Sequence, residues 1–264
     1  MMCWMDLRKG IERTFRDIFK EDIMQNDIKK LQDFIHSSNN IVFFGGAGVS
    51  TESGIPDFRS RDGLYNTQYK YPPETILSRS FFMSNTSEFY RFYRNKMVFT
   101  NAQPNLAHIA LTKLEEQGKL KAIVTQNIDG LHSAAGSKNV IELHGSLHRN
   151  FCMDCKKTYS LETMLQADDI PLCSCGGIIR PDVVLYEEAL DESVIQNAVS
   201  SISNSDMLII GGTSLMVYPA AAFINYYNGD KLVLINMSST PYDFKANLVI
   251  RNSIGEVLTG GILI

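Results

Sequence analysis

Four short apolar runs along the chain end abruptly in small or polar residues. The runs 41–44, 122–124, 207–210 and 232–235 are each followed at once by glycine, threonine or asparagine. Continuous apolar runs are typical of parallel strands buried on both faces, and ligands bind at the carboxyl ends of such strands. The pattern therefore predicts an α/β fold with ligand-binding groups along one edge of a parallel sheet.

Apolar residues at helical spacing mark two segments before the first run. Ile11, Phe15, Ile18 and Phe19 recur at this spacing, and a second helix is predicted at about 28–35. For the N-terminal segment, an amphipathic helix packed on its own domain is a simpler interpretation than a surface that binds a partner.

Composition and charge narrow the class of protein. A chain of 264 residues is long enough for one large domain with a small inserted module, and its net charge of -4 gives no general attraction to nucleic acid or anionic membranes. No segment approaches the roughly 18 apolar residues that span a bilayer. The charges from Asp6 onward argue against a signal peptide, and the acids Glu12 and Asp17 against a transit peptide. We expect a cytoplasmic protein that does not bind nucleic acid directly.

Four of the five cysteines form a cluster with the spacing of a metal site. Cys152 and Cys155 are separated by two residues, seventeen residues follow, and Cys173 and Cys175 are separated by one. Four thiolates suit tetrahedral zinc, and a site filled by four protein ligands has a structural role because no position is left for a reacting water. The alternative is four buried, reduced cysteines, and the narrow second pair departs from the common two-residue gap. Cys3 is left over.

A glycine-rich motif follows the first apolar run. Residues 45–59 have the sequence GGAGVSTESGIPDFR. Glycines after a strand allow a tight turn and close approach to a phosphate, and the N-terminus of a following helix can point amides at the anion. A purely structural turn is the alternative, since the complete dinucleotide fingerprint is absent.

Two further motifs place polar groups at predicted strand ends. In Thr125–His132, Asn127 and Asp129 can hydrogen-bond a carboxamide or a ribose, although either residue could cap a helix. In Glu142–Ser146, His144 can act as a general base near neutral pH, although a lone histidine more often has a structural role.

These three motifs, in this order, resemble the sirtuin family. The segments Gly212–Ala221 and Asn236–Pro241 extend the resemblance, which runs from about Ile28 to the C-terminal end. It implies a Rossmann-like NAD-binding part in residues 28–59, 102–146 and 183–264. A helical insertion at 60–101 and a zinc-ribbon insertion at 147–182 complete the expected catalytic domain.

The resemblance also implies roles for single residues. His144 corresponds to the catalytic base, and Asn127 helps to position the reactive ribose. Besides these, the expected contacts with NAD come from Ala47, Thr51, Phe58, Arg59, Gln126, Ile128, Asp129, Thr213, Ser214, Asn236 and Ile254.

The implied reaction is NAD-dependent removal of an acyl group from lysine. In the family mechanism the acyl oxygen attacks the anomeric carbon of the ribose as nicotinamide leaves, and His144 would deprotonate a ribose hydroxyl. Phe58 would shield the reaction from water. Mono-ADP-ribosyl transfer to protein, or NAD hydrolysis, is the alternative on the same fold. A non-catalytic NAD-sensing module is disfavoured by the presence of Asn127, Asp129 and His144 together.

The substrate is expected to be an acyl-lysine-bearing protein or peptide. Arg180–Glu188 resembles the family strand that pairs with this peptide, but Glu187 stands where many relatives have glycine, and an acidic groove rim would favour basic peptides. Relatives specialised for acidic acyl groups carry a Tyr-x-x-Arg pattern. Here Tyr65, Tyr69 and Tyr71 are followed three residues later by Gln68, Pro72 and Glu74. Acetyl or longer apolar acyl groups are therefore expected.

Overall fold

The computed structural model describes residues 21–58, 63–64 and 69–262, so the predicted helix around Ile11–Phe19 lies outside the described residues. The first described helix, α1, covers residues 21–36. It is longer than the predicted 28–35, because its buried stripe begins one turn earlier. Met24 and Ile28 pack against the core beside Leu31 and Ile35, at helical spacing.

A six-stranded parallel sheet forms the centre of the larger part of the molecule, as predicted. Its strands are β1 (Ile41–Gly45), β2 (Leu120–Thr125), β3 (Val140–Glu142), β7 (Met207–Gly211), β8 (Leu232–Ile235) and β9 (Leu248–Ile250), in the order β3-β2-β1-β7-β8-β9. The chain builds outward from β1 in one direction and then, from β7, in the other. The crevice at the carboxyl ends of β1 and β7 is thus the topological switch point, where ligands bind in open α/β sheets.

Helices cover both faces of this sheet, which explains the uninterrupted apolar runs. Ile41 and Phe43 face the core that α1, α5 (Leu106–Glu116) and α9 (Ile254–Ile262) complete. Val42 and Phe44 face the opposite core, beneath α8 (Glu192–Ser203) and a 3-10 helix at Ala220–Tyr226. All four side chains of β1 are essentially fully buried, so no alternation of polar residues is possible.

A smaller, antiparallel sheet lies after the large sheet's third strand. Its strands are β4 (Gly145–Cys152), β5 (Thr158–Tyr159) and β6 (Ile179–Val183), in the order β5-β4-β6. The helix α7 (Leu161–Gln166) connects β5 to β6. The helices α2 (Pro73–Ile76), α3 (Arg79–Ser84) and α4 (Thr86–Phe92), with a π-helical turn at Tyr93–Met97, share an apolar core with this sheet. The Tyr90 hydroxyl donates to the Ile179 carbonyl, joining the two.

Short turns between the strands of the large sheet complete the fold. They are the 3-10 turns Ala47–Val49, Thr51–Ser53 and Asp243–Lys245, and the single-turn helix α6 (Leu131–Ala134). In the part of the chain that the structure describes, no helix combines the length and apolar character needed to cross a membrane.

Candidate active site and zinc centre

The glycine-rich turn after β1 packs directly against the loop after β7. A Cβ atom at Gly46 would lie 2.8 Å from Thr213 Cβ, and one at Gly48 would lie 2.8 Å from the Gly212 backbone. The amides of Gly46 and Gly48 donate to the carbonyls of Gly211 and Gly212 at 3.2 and 2.8 Å. The helix expected after the glycines takes the form of two three-residue 3-10 helices, Ala47–Val49 and Thr51–Ser53. These glycines therefore bring the ends of β1 and β7 together. This is the structural role that was given above as the alternative to phosphate binding.

Ser50 connects the two polar residues that follow β2. Its hydroxyl donates to Asp129 Oδ2 at 2.7 Å and accepts from Asn127 Nδ2 at 3.0 Å. Since Ser50 has only one proton to donate, Asn127 must present its amide nitrogen to Ser50 and is left with Oδ1 as its outer group. The backbone amide of Asn127 is held by Thr125 Oγ1 at 3.0 Å.

Asp129 also holds the backbone just before α6, although the N-cap position itself belongs to Gly130. Its Oδ1 accepts from the Leu131 amide at 2.9 Å, in the first turn of α6. Ser50 is 1% exposed and Asn127 8% exposed, whereas Asp129 is half-buried, so the network is shielded from water on the side of Ser50 and Asn127. Sequence reasoning missed Ser50, because a serine in a glycine-rich turn carries no signal beyond turn propensity.

Two buried histidines lie behind this network. His108 and His132 are 0% and 2% exposed, and their ring centroids are 4.7 Å apart. Burial lowers the pKa of both, that of His132 to about 3, with the neighbouring His108 a further cause. Both rings are therefore uncharged at neutral pH. Neither was predicted, since a histidine on an apolar helix face gives no functional signal.

His144 lies in the turn between β3 and β4, directly before Gly145. Its Nδ1 is 3.0 Å from the Gln126 carbonyl oxygen, and because a carbonyl only accepts, Nδ1 carries the proton and Nε2 carries the free lone pair. Burial lowers the pKa of the ring, against an opposing effect of this hydrogen bond. His144 is thus neutral near pH 7, with a basic nitrogen directed away from Gln126.

The backbone on either side holds the ring in place. The His144 carbonyl accepts from the Val184 amide at 3.0 Å. Gly145 has a φ of +77°, and a Cβ there would come within 1.9 Å of the Asp182 carbonyl oxygen. Only glycine fits at this position, so the His-Gly pair is required by the close approach of β6 to β4.

Gln126 joins the ends of β2 and β7 across β1. Its Nε2 donates to Thr213 Oγ1 at 3.1 Å, and its amide donates to the Gly45 carbonyl at 3.0 Å. Thr213 Oγ1 also accepts from the Leu215 amide at 3.2 Å. The crevice is therefore lined by side chains whose positions are fixed by one another.

The remaining predicted cofactor contacts are more scattered. Asn236 Nδ2 donates to the Ser238 carbonyl at 2.9 Å, and Ile254 is buried, with its Cδ1 against Gly211. Phe58 and Ile128 pack against the apolar core of the smaller part. Thr51 is exposed, Ala47 and Ser214 are half-buried, and Arg59 lies outside the described residues. Their contacts with NAD stay predictions.

The four clustered cysteines meet at one point. Their sulfur atoms all lie within 4.8 Å of one another, with Cys152 and Cys175 3.5 Å apart and Cys155 and Cys173 also 3.5 Å apart. Four sulfurs at about 2.3 Å from a tetrahedral zinc ion would be roughly 3.8 Å apart. No described cysteine forms a disulfide, and the geometry fits a structural zinc with four thiolate ligands.

The turns around the cysteines explain the narrow second pair. In the first turn the Cys152 amide donates to the Lys157 carbonyl, and in the second the Cys173 amide donates to the Gly177 carbonyl. The second turn is thus one residue shorter, as is the spacing of its cysteines. Gly177 permits this turn, because a Cβ there would lie 2.7 Å from Cys152 Sγ. Tyr159 donates to Cys173 Sγ at 2.9 Å, an outer contact of the kind that orients metal ligands.

Comparison with known proteins agrees with this site. The Sir2 family profile matches residues 46–219. A protein of Clostridium acetobutylicum named NAD-dependent protein deacetylase is 61% identical over 240 residues, which cover 89% of this chain and 98% of the relative. A protein of Clostridium tetani with the same name is 62% identical, covering 88% and 96% of the two chains.

Solved structures of Sir2 proteins share the fold. A complex described as Sir2, p53 peptide and NAD+ is 40% identical with a TM-score of 0.79, and covers 88% of this chain and 95% of that chain. A structure from work on the mechanism and regulation of Sir2 enzymes is 38% identical with a TM-score of 0.83, covering 90% and 97%. By sequence, fold and site geometry, this chain belongs to the Sir2 family.

Proposed function

We propose that this chain is an NAD-dependent protein lysine deacetylase, which transfers the acyl group from lysine to ADP-ribose and releases nicotinamide. The observation that carries the proposal is His144, held as a neutral base by the Gln126 carbonyl at the same sheet edge as Asn127 and Asp129. Curated relatives about 60% identical carry the name of this activity.

The crevice suits a dinucleotide. It lies at the switch point of a parallel sheet, and the outward-facing Oδ1 of Asn127 is an acceptor for a carboxamide or hydroxyl donor. Thr213 and Gln126 form the floor between β2 and β7, and Ser214 and Asn236 lie after β7 and β8 for the phosphate and adenosine portions. NAD supplies the ADP-ribosyl group that accepts the acyl group, with nicotinamide as the leaving group.

The proposed proton transfer begins at His144. Its Nε2 takes the proton of a ribose hydroxyl, so that this oxygen can form the new bond to the acyl carbon. Asn127 holds the ribose in the orientation that the attack requires, and Phe58 excludes water. The bond between the acyl carbon and the lysine nitrogen then breaks, lysine leaves as a free amine with the proton that His144 returns, and one water is consumed to give the acyl ester of ADP-ribose.

The zinc centre belongs to the scaffold. Cys152, Cys155, Cys173 and Cys175 would hold the ion and fix the turns at the ends of β4 and β6, and four thiolates leave no position for a reacting water. We also propose the division into a Rossmann-like part, a helical insertion and a zinc-ribbon insertion, as predicted from the sequence. We also propose a cytoplasmic location, because a metal-binding cysteine cluster is typical of a reducing compartment; fractionation of the source cells would test it.

Mass spectrometry of an acetyl-lysine peptide, incubated with the purified protein with and without NAD, tests the function. We expect loss of the acetyl group only when NAD is present. NAD cleavage with an unchanged peptide would contradict deacetylation and indicate hydrolysis, while ADP-ribose attached to the peptide would indicate ADP-ribosyl transfer.

A further inference from the structure

Glu187 adopts a backbone conformation that disfavours its side chain. It has a φ of +73° in a tight turn closed by the Glu188 amide, which donates to the Leu185 carbonyl at 3.1 Å. Residues with a Cβ are strained in this left-handed region, which glycine occupies freely. A glutamate therefore persists here only if its side chain makes contacts that glycine cannot.

The carboxylate of Glu187 makes those contacts at the start of α3. Its Oε2 accepts from the Ser80 amide at 2.8 Å, and its Oε1 accepts from the Ser80 hydroxyl at 2.9 Å. The two neighbouring amides of α3 are also satisfied: Arg79 donates to the Tyr186 carbonyl at 3.0 Å and Phe81 to Ser78 Oγ at 3.2 Å. Two of the three donors in the first turn of α3 thus depend on residues 186–187.

At its other end, the segment 184–187 is held by the backbone of His144. The Val184 amide donates to the His144 carbonyl at 3.0 Å. Arg180 forms a bidentate ion pair with Glu188 at 2.7 and 2.9 Å, and Glu188 also accepts from the Leu185 amide. The segment therefore spans from His144 to α3, and Tyr186 on it is exposed.

We propose that Glu187 is a positioning residue for the acyl-lysine peptide. By binding the start of α3, its side chain holds the segment 184–187 at a fixed distance from His144, so that the peptide meets a preformed groove. This inference rests on the proposed deacetylase function. Preorganised backbone lowers the ordering cost of binding, so loss of the tether weakens peptide binding and leaves the chemical step unchanged.

The contacts also distinguish this role from an electrostatic one. An acidic groove rim would act through the charge of Glu187 on basic peptides, whereas a tether acts through its two oxygen acceptors. Glu187→Gln removes the charge but keeps an oxygen acceptor of the same length, and Glu187→Ala removes both. If Glu187 acts through its charge, the two variants therefore have the same effect on peptide binding. If it acts as a tether, their effects differ.

Steady-state kinetics with an acetyl-lysine peptide and NAD provide the test. For Glu187→Ala we expect the KM for the peptide to rise about tenfold, the size of losing a charge-assisted hydrogen bond. The kcat and the KM for NAD stay within about twofold of the wild type, and Glu187→Gln recovers most of the peptide KM. Glu192→Ala, an exposed glutamate in the first turn of α8, is the matched control and leaves all three constants unchanged.

Ser80→Ala provides an independent variant, since it removes only the hydroxyl donor. We expect a rise in peptide KM of about threefold, which tests the tether even if Glu187→Ala folds poorly. Equal effects of Glu187→Gln and Glu187→Ala, confined to basic peptides at low salt, would overturn the inference in favour of charge. An unchanged peptide KM in both Glu187→Ala and Ser80→Ala would also overturn it. If the wild-type protein itself removes no acetyl group, the proposed function fails instead.

Discussion

Gln126 and Ser50 do not react, but they orient the two side chains that are proposed for catalysis. The Gln126 carbonyl places a proton on Nδ1 of His144, and the Ser50 hydroxyl turns the amide nitrogen of Asn127 inward. His144 and Asn127 were predicted from their motifs, since both follow strand ends. The orienting roles of the Gln126 carbonyl and the Ser50 hydroxyl were not predicted, because every residue carries a backbone carbonyl and a serine in a turn gives no further signal.

Replacing His144 with alanine is expected to abolish useful deacetylation. General-base catalysis contributes about 10²–10⁴-fold, so kcat should fall by that range while the affinity for NAD changes little. Single-turnover kinetics and calorimetric titration of NAD measure the two effects. The exposed His36, at the end of α1, gives the control variant His36→Ala; a His144→Ala enzyme with near-normal kcat would remove His144 from the mechanism.

The pH profile of kcat/KM reports the protonation of the same ring. Burial lowers the pKa of His144 below its ordinary value of 6.5, so the neutral base is present above that pKa and is lost as the pH falls through it. We expect activity that is flat from about pH 7 to 8 and declines on the acid side with a midpoint below 6.5. An acid limb centred above pH 7 would contradict this assignment.

Ser50→Ala tests the network that orients Asn127. The variant leaves Asn127 Nδ2 and Asp129 Oδ2 without the partner they share in a buried site, which costs about 1–3 kcal/mol. We expect kcat/KM for NAD to fall roughly 10- to 100-fold, with little change in the peptide KM. Ser203→Ala, at an exposed position at the end of α8, should leave both constants intact, and equal behaviour of the two variants would argue against the network.

At the scale of elements, the apolar runs predicted the central strands well, because a strand buried on both faces has no room for polar residues. The run 232–235 coincides with β8, and the other three lie within β1, β2 and β7. The start of α1 was misplaced, since Met24 alone marks the extra turn. The one-residue gap between Cys173 and Cys175 also had no explanation in the sequence, because it follows from backbone hydrogen bonds of the shorter turn.

The zinc centre makes a prediction for the small sheet. Cys173→Ser removes one of four thiolates, and we expect zinc content to fall from one ion per chain toward none, with loss of the fixed ends of β4 and β6. Metal analysis and protection of amide hydrogens in residues 145–183 would measure this. Cys3→Ser, which changes none of these four ligands, should retain the zinc; full occupancy in Cys173→Ser would contradict the four-cysteine site.

For the whole molecule, the buried histidine pair sets a limit on acid stability. The pKa of His132 is lowered to about 3 by burial and by His108, whereas in the unfolded chain it titrates near 6.5. Below pH 6.5 the unfolded state therefore binds a proton that the folded state excludes, and stability is lost as the pH falls. For this group alone the loss reaches about 2 kcal/mol at pH 5.

His132→Phe should remove that part of the pH dependence. Urea unfolding at pH 7 and at pH 5 would measure it, and we expect the difference between the two free energies of unfolding to shrink by about 2 kcal/mol in the variant. His36→Ala again serves as the control, because this histidine is exposed at the end of α1 and does not belong to the buried pair. An unchanged difference in His132→Phe would show that His132 is not buried in its neutral form.

The topology of the whole molecule brings the separate motifs into one site. Strands from residues 41–45, 120–125 and 207–211 end at one edge, and β4 and β6 carry His144 and the segment 184–187 to it. The order of motifs predicted such a convergence, but not the direct packing of Gly46 and Gly48 on Gly212 that enforces it.

Tracing the acyl group tests the central claim most directly. A peptide with an isotopically labelled acetyl group on lysine is incubated with the protein and NAD, and the early products are separated and weighed by mass spectrometry. The account predicts that the label appears on ADP-ribose, with one nicotinamide and one free lysine formed for each label transferred. Label released as free acetate without nicotinamide, or ADP-ribose attached to the peptide, would contradict it.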